Sequence, residues 1–440
     1  MREQKEGKMD AQWLRNPELK DCRRGNPRPN QLIHSLMSDP ERSRWYRGLG
    51  SPSRVLAPMV DQSDPAFREL CRRHGCDLAY TPMFNARIFA DQGGTTFTPL
   101  EGTGSDRPLV VQFAGHDPAH LLAAGKLVQD RCDAVDINLG CPQRIAKRGR
   151  FGAFLLEEHV PVELEPGAGG SSCCSDWPLL RELVGTLRNQ LDVPVTCKIR
   201  VFDDAQRTIE LARTLQDAGC SLLTVHGRTL AQKGRETGAP RWEAIARVKQ
   251  AVSIPVLANG GIETSADMAR CLAQTGCDGC MVAEAALENP AIWEGGAAGA
   301  AQEELGLELL AVLREGHHAD LNSTKQHLFT MCYAGLQVHT DLRGRLHKAR
   351  ELDEMEQIVR ELQARPRQAA GPFNNAPGED YTSWYHRHRW EWWKHEKARG
   401  VNVCKAFDHD GVLAAGPRQT GEAPAAAEDD EPAEWMQGLF

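Results

Sequence analysis

The sequence has no run of the roughly 18 apolar residues that a membrane-spanning helix needs, so a membrane protein is not expected. It has no excess of positive charge: the formal net charge is −8, which by itself argues against a nucleic-acid partner. No apolar segment follows the mixed charges of Met1 to Asp21, so no secretory leader is expected. No G-x-G-x-x-G opens a helix after the first strand, which weakens a dinucleotide-binding reading. The 14 cysteines form no compact framework, and Cys277-x-x-Cys280 is the only CxxC pair. Without a second ligand pair, zinc is not expected and no metal centre is assigned. Cys277 and Cys280 read as strand packing, and the thiols as free in a reducing compartment, which gives a cytoplasmic or nuclear location as the expectation.

What remains is ordinary for a globular enzyme: 440 residues, 41% apolar and 25% charged, enough for one large α/β domain and a smaller one. The negative charge is also unevenly spread. Residues 421–440 carry Glu422, Glu428, Asp429, Asp430, Glu431 and Glu434 with no Lys or Arg, so this tail reads as disordered. Without it the folded part is near neutral and has room for a basic face.

Short apolar strands recur between amphipathic stretches. They read at Val55–Ala57, Leu78–Tyr80, Leu109–Gln112, Val135–Ile137, Val195–Lys198, Leu222–Val225, Val256–Ala258 and Gly279–Val282. Intervening helices read at Pro118 to Gln129, Thr208 to Ala218 and Ser265 to Gln274. This alternation predicts an α/β protein, a (β/α)8 TIM barrel with a C-terminal helical domain; a doubly wound sheet is the alternative. Polar groups stand at successive strand ends: Gln112, Asn138 with Cys141, Lys198 with Arg200, His226 with Arg228, and Asn259 with Gly260. In a barrel those ends form one face, where active sites lie.

One loop is the most specific feature. A short strand runs into Asp136-Ile137-Asn138-Leu139-Gly140-Cys141-Pro142-Gln143, followed by Ala146-Lys147-Arg148-Gly149 and Gly152-Ala153-Phe154-Leu155. A thiol on a glycine-rich loop at a strand's mouth is placed to meet a ligand, whereas an isolated cysteine is more often structural.

This stretch resembles the active-site loop of the tRNA-dihydrouridine synthases. The resemblance spans about Arg54 to Trp293, through Ala57-Pro58-Met59, Gln112, Cys197-Lys198-Ile199-Arg200, Val225-His226-Gly227-Arg228-Thr229 and Ala258-Asn259-Gly260-Gly261-Ile262. Ala57 to Gln62 and the Cys141 loop look like the eukaryotic subgroup that modifies uridines 16 and 17. The resemblance implies reduction of uridine to dihydrouridine in tRNA, with FMN as cofactor and NADPH or NADH as reductant. It implies tRNA as partner, no membrane, and a monomer.

The residue roles follow from the same likeness. Cys141 is the catalytic acid: a thiol of ordinary pKa near 8.5 is mostly protonated at neutral pH, and the Asp136 carboxylate nearby would not favour a thiolate. Ala57, Pro58, Met59, Gln112, Lys198 and His226 are expected at the flavin, with Lys198 beside its anionic edge. Asn259, Gly260 and Gly261, with the amides of Ala283 and Glu284, are expected at its phosphate, the Glu284 carboxylate turned away. Asn138, Arg200 and Arg228 are expected to meet the substrate. The alternative for Lys198 is a salt bridge within the barrel, and for His226 a structural role. Two other functions stay open: an FMN barrel oxidoreductase for a small molecule, and an RNA-binding homologue without activity.

The organisation expected is an N-terminal extension (1–52), the FMN barrel (53–300), a helical tRNA-binding domain (301–365) and a basic aromatic segment with the acidic tail (366–440). Residues 157–176 read as an atypical insertion, a long loop without elements of its own. The helical region carries apolar residues at helical spacing, among them Leu328, Cys332, Leu336, Leu342, Met355, Ile358, Val359 and Leu362. In a chain that is 6% aromatic, Trp384, Tyr385, Trp390, Trp392 and Trp393 interleaved with Arg387, Arg389, Lys394, Lys397 and Arg399 stand out. They suit base stacking and phosphate binding, or a helix docked by its tryptophans.

Overall fold

The computed structural model describes residues 40–94, 106–157, 160–162, 174–233, 238–294 and 301–365. The Trp- and Arg-rich stretch and the acidic tail lie outside them.

Eight strands close into a parallel barrel. They are β1 (Arg54–Leu56), β2 (Leu78–Asn85), β3 (Leu109–Ala114), β4 (Ala134–Leu139), β7 (Val195–Arg200), β8 (Leu222–His226), β9 (Val256–Asn259) and β10 (Gly279–Val282). The order is β1-β10-β9-β8-β7-β4-β3-β2, so the sheet has no edge and the doubly wound alternative is excluded. Each expected strand is present.

Side-chain alternation explains the layering. Val135, Ile137, Leu139, Val195, Cys197, Ile199, Leu223 and Val225 point outward into the core beneath the helices. That outer layer includes α4 (Pro118–Val128), α6 (Pro178–Gln190), α7 (Ala205–Ala218), α8 (Trp242–Ala251) and α9 (Ser265–Thr275). The inward series starts apolar: Val55, Leu78, Tyr80, Val110, Ala134, Leu222, Leu257 and Met281 plug the lumen. Two residues further along several strands, the same face turns polar, and this is where the mouth begins.

The insertion departs from expectation. Its ends pair as an antiparallel ribbon, β5 (Val160–Val162) with β6 (Cys174–Asp176), in the register Val160↔Asp176 and Val162↔Cys174. Paired ends satisfy backbone groups that a bare loop would leave open, and lengthening the segment between them adds little closure entropy.

Among the described residues from 301 onward, the chain forms α11 (Gln302–Arg314), α12 (Leu321–Met331), α13 (Tyr333–Val338), α14 (Thr340–Lys348) and α15 (Leu352–Ala364). The apolar positions named above form one core, and that core also takes in Ala66 and Leu70 of α2 (Pro65–Arg73). The helical layer therefore shares its interior with the first barrel helix. Polar contacts fix the junction. Fully buried Arg68 and its neighbour Arg72 both pair with Asp106. Arg73 pairs with Glu315. His74 bridges Glu294 at 2.7 Å and Glu308 at 2.8 Å. His327 lies 2.7 Å from Asp64, the N-cap of α2, and stacks on Phe67.

Candidate active site

Parallel register brings distant residues onto common rungs. The lowest polar rung is Gln112–Asp136–Thr196. The next holds Asn138 beside Lys198, then Thr224. The upper rung is Arg200–His226–Asn259. Residues 136 and 138, 196, 198 and 200, and 224 and 226 are spaced by two, so each set shares the lumenal face. This is how sequence positions more than a hundred residues apart meet.

On the lowest rung the Asp136 carboxylate is fully buried. It accepts hydrogen bonds from Thr196 Oγ1 at 2.6 Å and Gln112 Nε2 at 2.8 Å. Burial pushes its pKa up to about 6, against the lowering effect of those donors and of Lys198. Gln112 Oε1 accepts from Asn138 Nδ2 at 2.8 Å. Asn138 Oδ1 accepts from the backbone N–H of Gly140 at 3.1 Å and of Cys141 at 2.9 Å.

The Cys141 loop is clamped on its other side too. Arg200 Nε donates to Gly140 O at 2.7 Å, Ala153 N–H to Cys141 O at 3.0 Å, and Lys233 Nζ to Pro142 O at 3.1 Å. Gly152 passes close against the loop with φ +67°; a Cβ there would sit 2.7 Å from Cys141 O. Cys141 itself is half-buried at the mouth. Its pKa is raised by burial, against the pull of the Gln143 backbone N–H and of Arg200, Lys198 and Lys233. The thiol therefore stays protonated at neutral pH. The reason differs from the sequence expectation: burial holds the proton, and the Asp136 carboxylate is tied to Gln112 and Thr196.

The cations of the mouth divide by whether they are bound. The Lys198 ammonium makes no hydrogen bond or ion pair with any described residue. Burial and Arg200 lower its pKa to about 8, with Asp136 and Cys141 acting the other way. Arg200 donates from Nη1 to Thr229 O and Gln232 O as well as from Nε to Gly140 O, so it is placed as a strut of the loop. Arg228 donates from Nε to Gly238 O and meets His226 Nε2 at 3.1 Å. Burial, reinforced by Lys198, Arg200 and Arg228, holds His226 neutral. Its Nε2 therefore accepts from Arg228, leaving Nδ1 to carry the proton.

The glycines after β9 are required. Gly260 and Gly261 have φ of +100° and +72°, and a Cβ on either would lie 2.8 Å from His226 Cδ2 or 2.6 Å from Pro240 Cγ. Asn259 Nδ2 donates to Met281 O at 2.8 Å, and Trp242 Nε1 to Gly260 O at 3.0 Å. Glu284 opens the short helix α10 (Glu284–Glu288) after Ala283, with its side chain exposed. Ala57, Pro58 and Met59 turn out of β1, closed by Ser63 Oγ on Met59.

With this geometry fixed, the relatives are informative. The Dihydrouridine synthase (Dus) family profile matches residues 55–164 and 161–368. The chain belongs to the dihydrouridine synthase family. It is 43% identical over 342 residues to a Rattus norvegicus protein named tRNA-dihydrouridine(16/17) synthase NAD(P)(+)-like, covering 76% of this chain and 73% of that one. It is 39% identical over 333 residues to the Saccharomyces cerevisiae tRNA-dihydrouridine(16/17) synthase NAD(P)(+), covering 73% and 74%. A Homo sapiens tRNA-dihydrouridine(20a/20b) synthase NAD(P)+-like protein is 36% identical over 249 residues, covering 56% and 72%.

An anionic cofactor fits the mouth of this family member on two observations: a lumenal ammonium without a bound partner, and a left-handed glycine pair at the end of β9. Sequence reasoning missed Thr196 and Lys233, while Gly152 was read only as part of the loop's glycine pattern. Thr196 was legible only as a strand residue, and Lys233 lies 91 positions from Pro142, the loop residue that it holds, with no local signal.

Proposed function

We propose that this protein reduces uridine to 5,6-dihydrouridine in tRNA, at positions 16 and 17 of the D-loop, using FMN and NAD(P)H. The carrying observation is the half-buried, protonated Cys141 on a loop held by Asn138, Arg200, Lys233 and Ala153, in a chain of the dihydrouridine synthase family.

When bound, FMN would transfer reducing equivalents from NAD(P)H to C6 of the uracil ring. The residues of the chain do the rest. Lys198 faces the lumen as an unbound cation and would hold the cofactor's anionic edge. His226, fixed by Arg228, presents an Nδ1–H donor. The backbone after Asn259 offers N–H groups to a phosphate. Cys141 gives its proton to C5 of the base, where negative charge develops, and burial keeps that proton available at neutral pH. Arg228 stands near the rim, where an entering base would pass, while Asn138, with both ends of its amide bound to Gln112 and the loop, holds the loop rather than the base. The helices from 301 to 365 are the surface for the body of the tRNA, and the protein acts as a monomer in the cytoplasm, the nucleus or both.

The test is a purified chain assayed in two half-reactions. A bound flavin reduced by NADPH and reoxidised by tRNA lacking dihydrouridine, with the product mapped to positions 16 and 17, is the expected result. A flavin reoxidised by a free pyrimidine and not by tRNA would establish the small-molecule alternative. A colourless protein that binds tRNA would establish the inactive one.

A further inference from the structure

We propose that Asp136, buried beneath the mouth, is a positioning residue that fixes the Cys141 loop through Gln112 and Asn138. The inference rests on the reading of Cys141 as proton donor.

The four groups form one directional chain. A carboxylate can only accept, so Asp136 forces Gln112 to turn its Nε2 inward, at 2.8 Å. Gln112 Oε1 then faces outward and can only accept, so Asn138 must present Nδ2 to it, at 2.8 Å. Asn138 Oδ1 is thereby aimed at the two backbone N–H groups of Gly140 and Cys141, at 3.1 and 2.9 Å. Reversing either amide sets like groups face to face. Gln112 and Asp136 are fully buried and Asn138 nearly so, where a mismatched pair of polar groups is costly. Thr196 Oγ1 at 2.6 Å holds the second carboxylate oxygen and fixes the plane of the group. Charge is what makes the chain directional. An amide at position 136 could face Gln112 with either end, and an alanine with neither.

The placement of the loop matters because proton transfer tolerates little displacement. A shift near 1 Å at a reacting group costs on the order of 10²-fold in rate. Asp136 is fully buried and its hydrogen bonds come from Gln112 and Thr196, so its hydrogen-bonded route to Cys141 runs through Gln112 and Asn138. Its charge also acts on Lys198, so cofactor retention must be measured separately.

The experiment uses the full-length holoprotein as parent, Asp136→Ala and Asp136→Asn. The first readout is the rate at which iodoacetamide alkylates Cys141, followed by peptide mass. The second is the pair of half-reactions, with flavin occupancy determined for each variant. In Asp136→Ala the freed loop should alkylate about fivefold faster or more, since thiol access controls the rate. Reoxidation by tRNA should slow by roughly 10–100-fold, the scale of a misplaced reacting group. Reduction of bound flavin by NADPH should stay within about threefold, because it does not need the thiol. Asp136→Asn should fall between parent and Asp136→Ala. Parent-like alkylation in both variants overturns the proposal, as does an equal loss in both half-reactions. If Asp136→Ala does not fold, Asp136→Asn decides by its alkylation rate. A parent that tRNA cannot reoxidise refutes the functional reading instead, while the alkylation arm still judges the chain.

Discussion

The mouth of the barrel and its junction with the helical layer carry charge in opposite ways. At the junction, cations meet anions: Arg68 and Arg72 share Asp106, Arg73 meets Glu315, and His74 sits between Glu294 and Glu308. At the mouth, Arg200, Arg228 and Lys233 meet backbone carbonyls, and Lys198 meets nothing described. A paired charge holds two elements together. A lumenal cation without a hydrogen-bonded or ion-paired partner weakens the protein that carries it, because the charge of Asp136 offsets only part of its desolvation until a ligand arrives. The difference separates groups that serve stability from groups that serve binding.

That comparison breaks most sharply at Cys141. Cys141→Ala should lower tRNA-driven reoxidation of the reduced flavin by about 10²–10⁴-fold, the usual effect of a lost general acid. Stability to urea should stay close to the parent's. A variant that reduces tRNA at the parent's rate would place Cys141 with the structural groups.

Asp106→Ala should show the reverse. It takes the carboxylate away from Arg68, which is fully buried, and should cost about 3–5 kcal/mol in a denaturation curve. The fraction that remains folded should keep its NADPH half-reaction. Lys198→Met sharpens the contrast further. It should stabilise the flavin-free protein by about 1 kcal/mol, the scale of relieving an uncompensated polar group, while flavin affinity falls. A destabilised Lys198→Met protein would mean that the ammonium has a structural partner.

The smallest effect is expected at His74. Burial alone would lower its pKa, but the hydrogen bonds to Glu294 and Glu308 prevail and hold the imidazole above its ordinary value. A raised histidine pKa gives its stabilisation in full below the unfolded value near 6.5 and loses it as pH rises through the folded one. Hydrogen exchange at α11, corrected for intrinsic rates, should therefore speed up from pH 6 to pH 9. His74→Gln should flatten that dependence; an unchanged slope would remove His74 from the junction's pH response.

Much of this was legible in the chain before folding was considered. Eight strands could be read because each is short, apolar and bounded by glycine or polar residues, and strand ends such as Lys198 and His226 follow from the strands. The Cys141 loop could be read because its glycines and its Asn-x-Gly-Cys-Pro run are local. The ribbon joining Val160–Val162 to Cys174–Asp176 could not, since its strands are three residues each and separated by a long segment.

Sequence by itself determined the barrel, the identity of the thiol and the list of polar strand ends, because period-two alternation and turn chemistry act over a few residues. Only the tertiary structure decided what each polar group does. Register sets Gln112, Asp136 and Thr196 on one rung, turns Arg200 from a rim residue into a strut, and brings Lys233 to Pro142. It also decided that Lys198 stands without a bound partner and that burial keeps the Cys141 proton. Hydrogen-bond partners and desolvation depend on which strands are neighbours, and closing the sheet is what makes them neighbours.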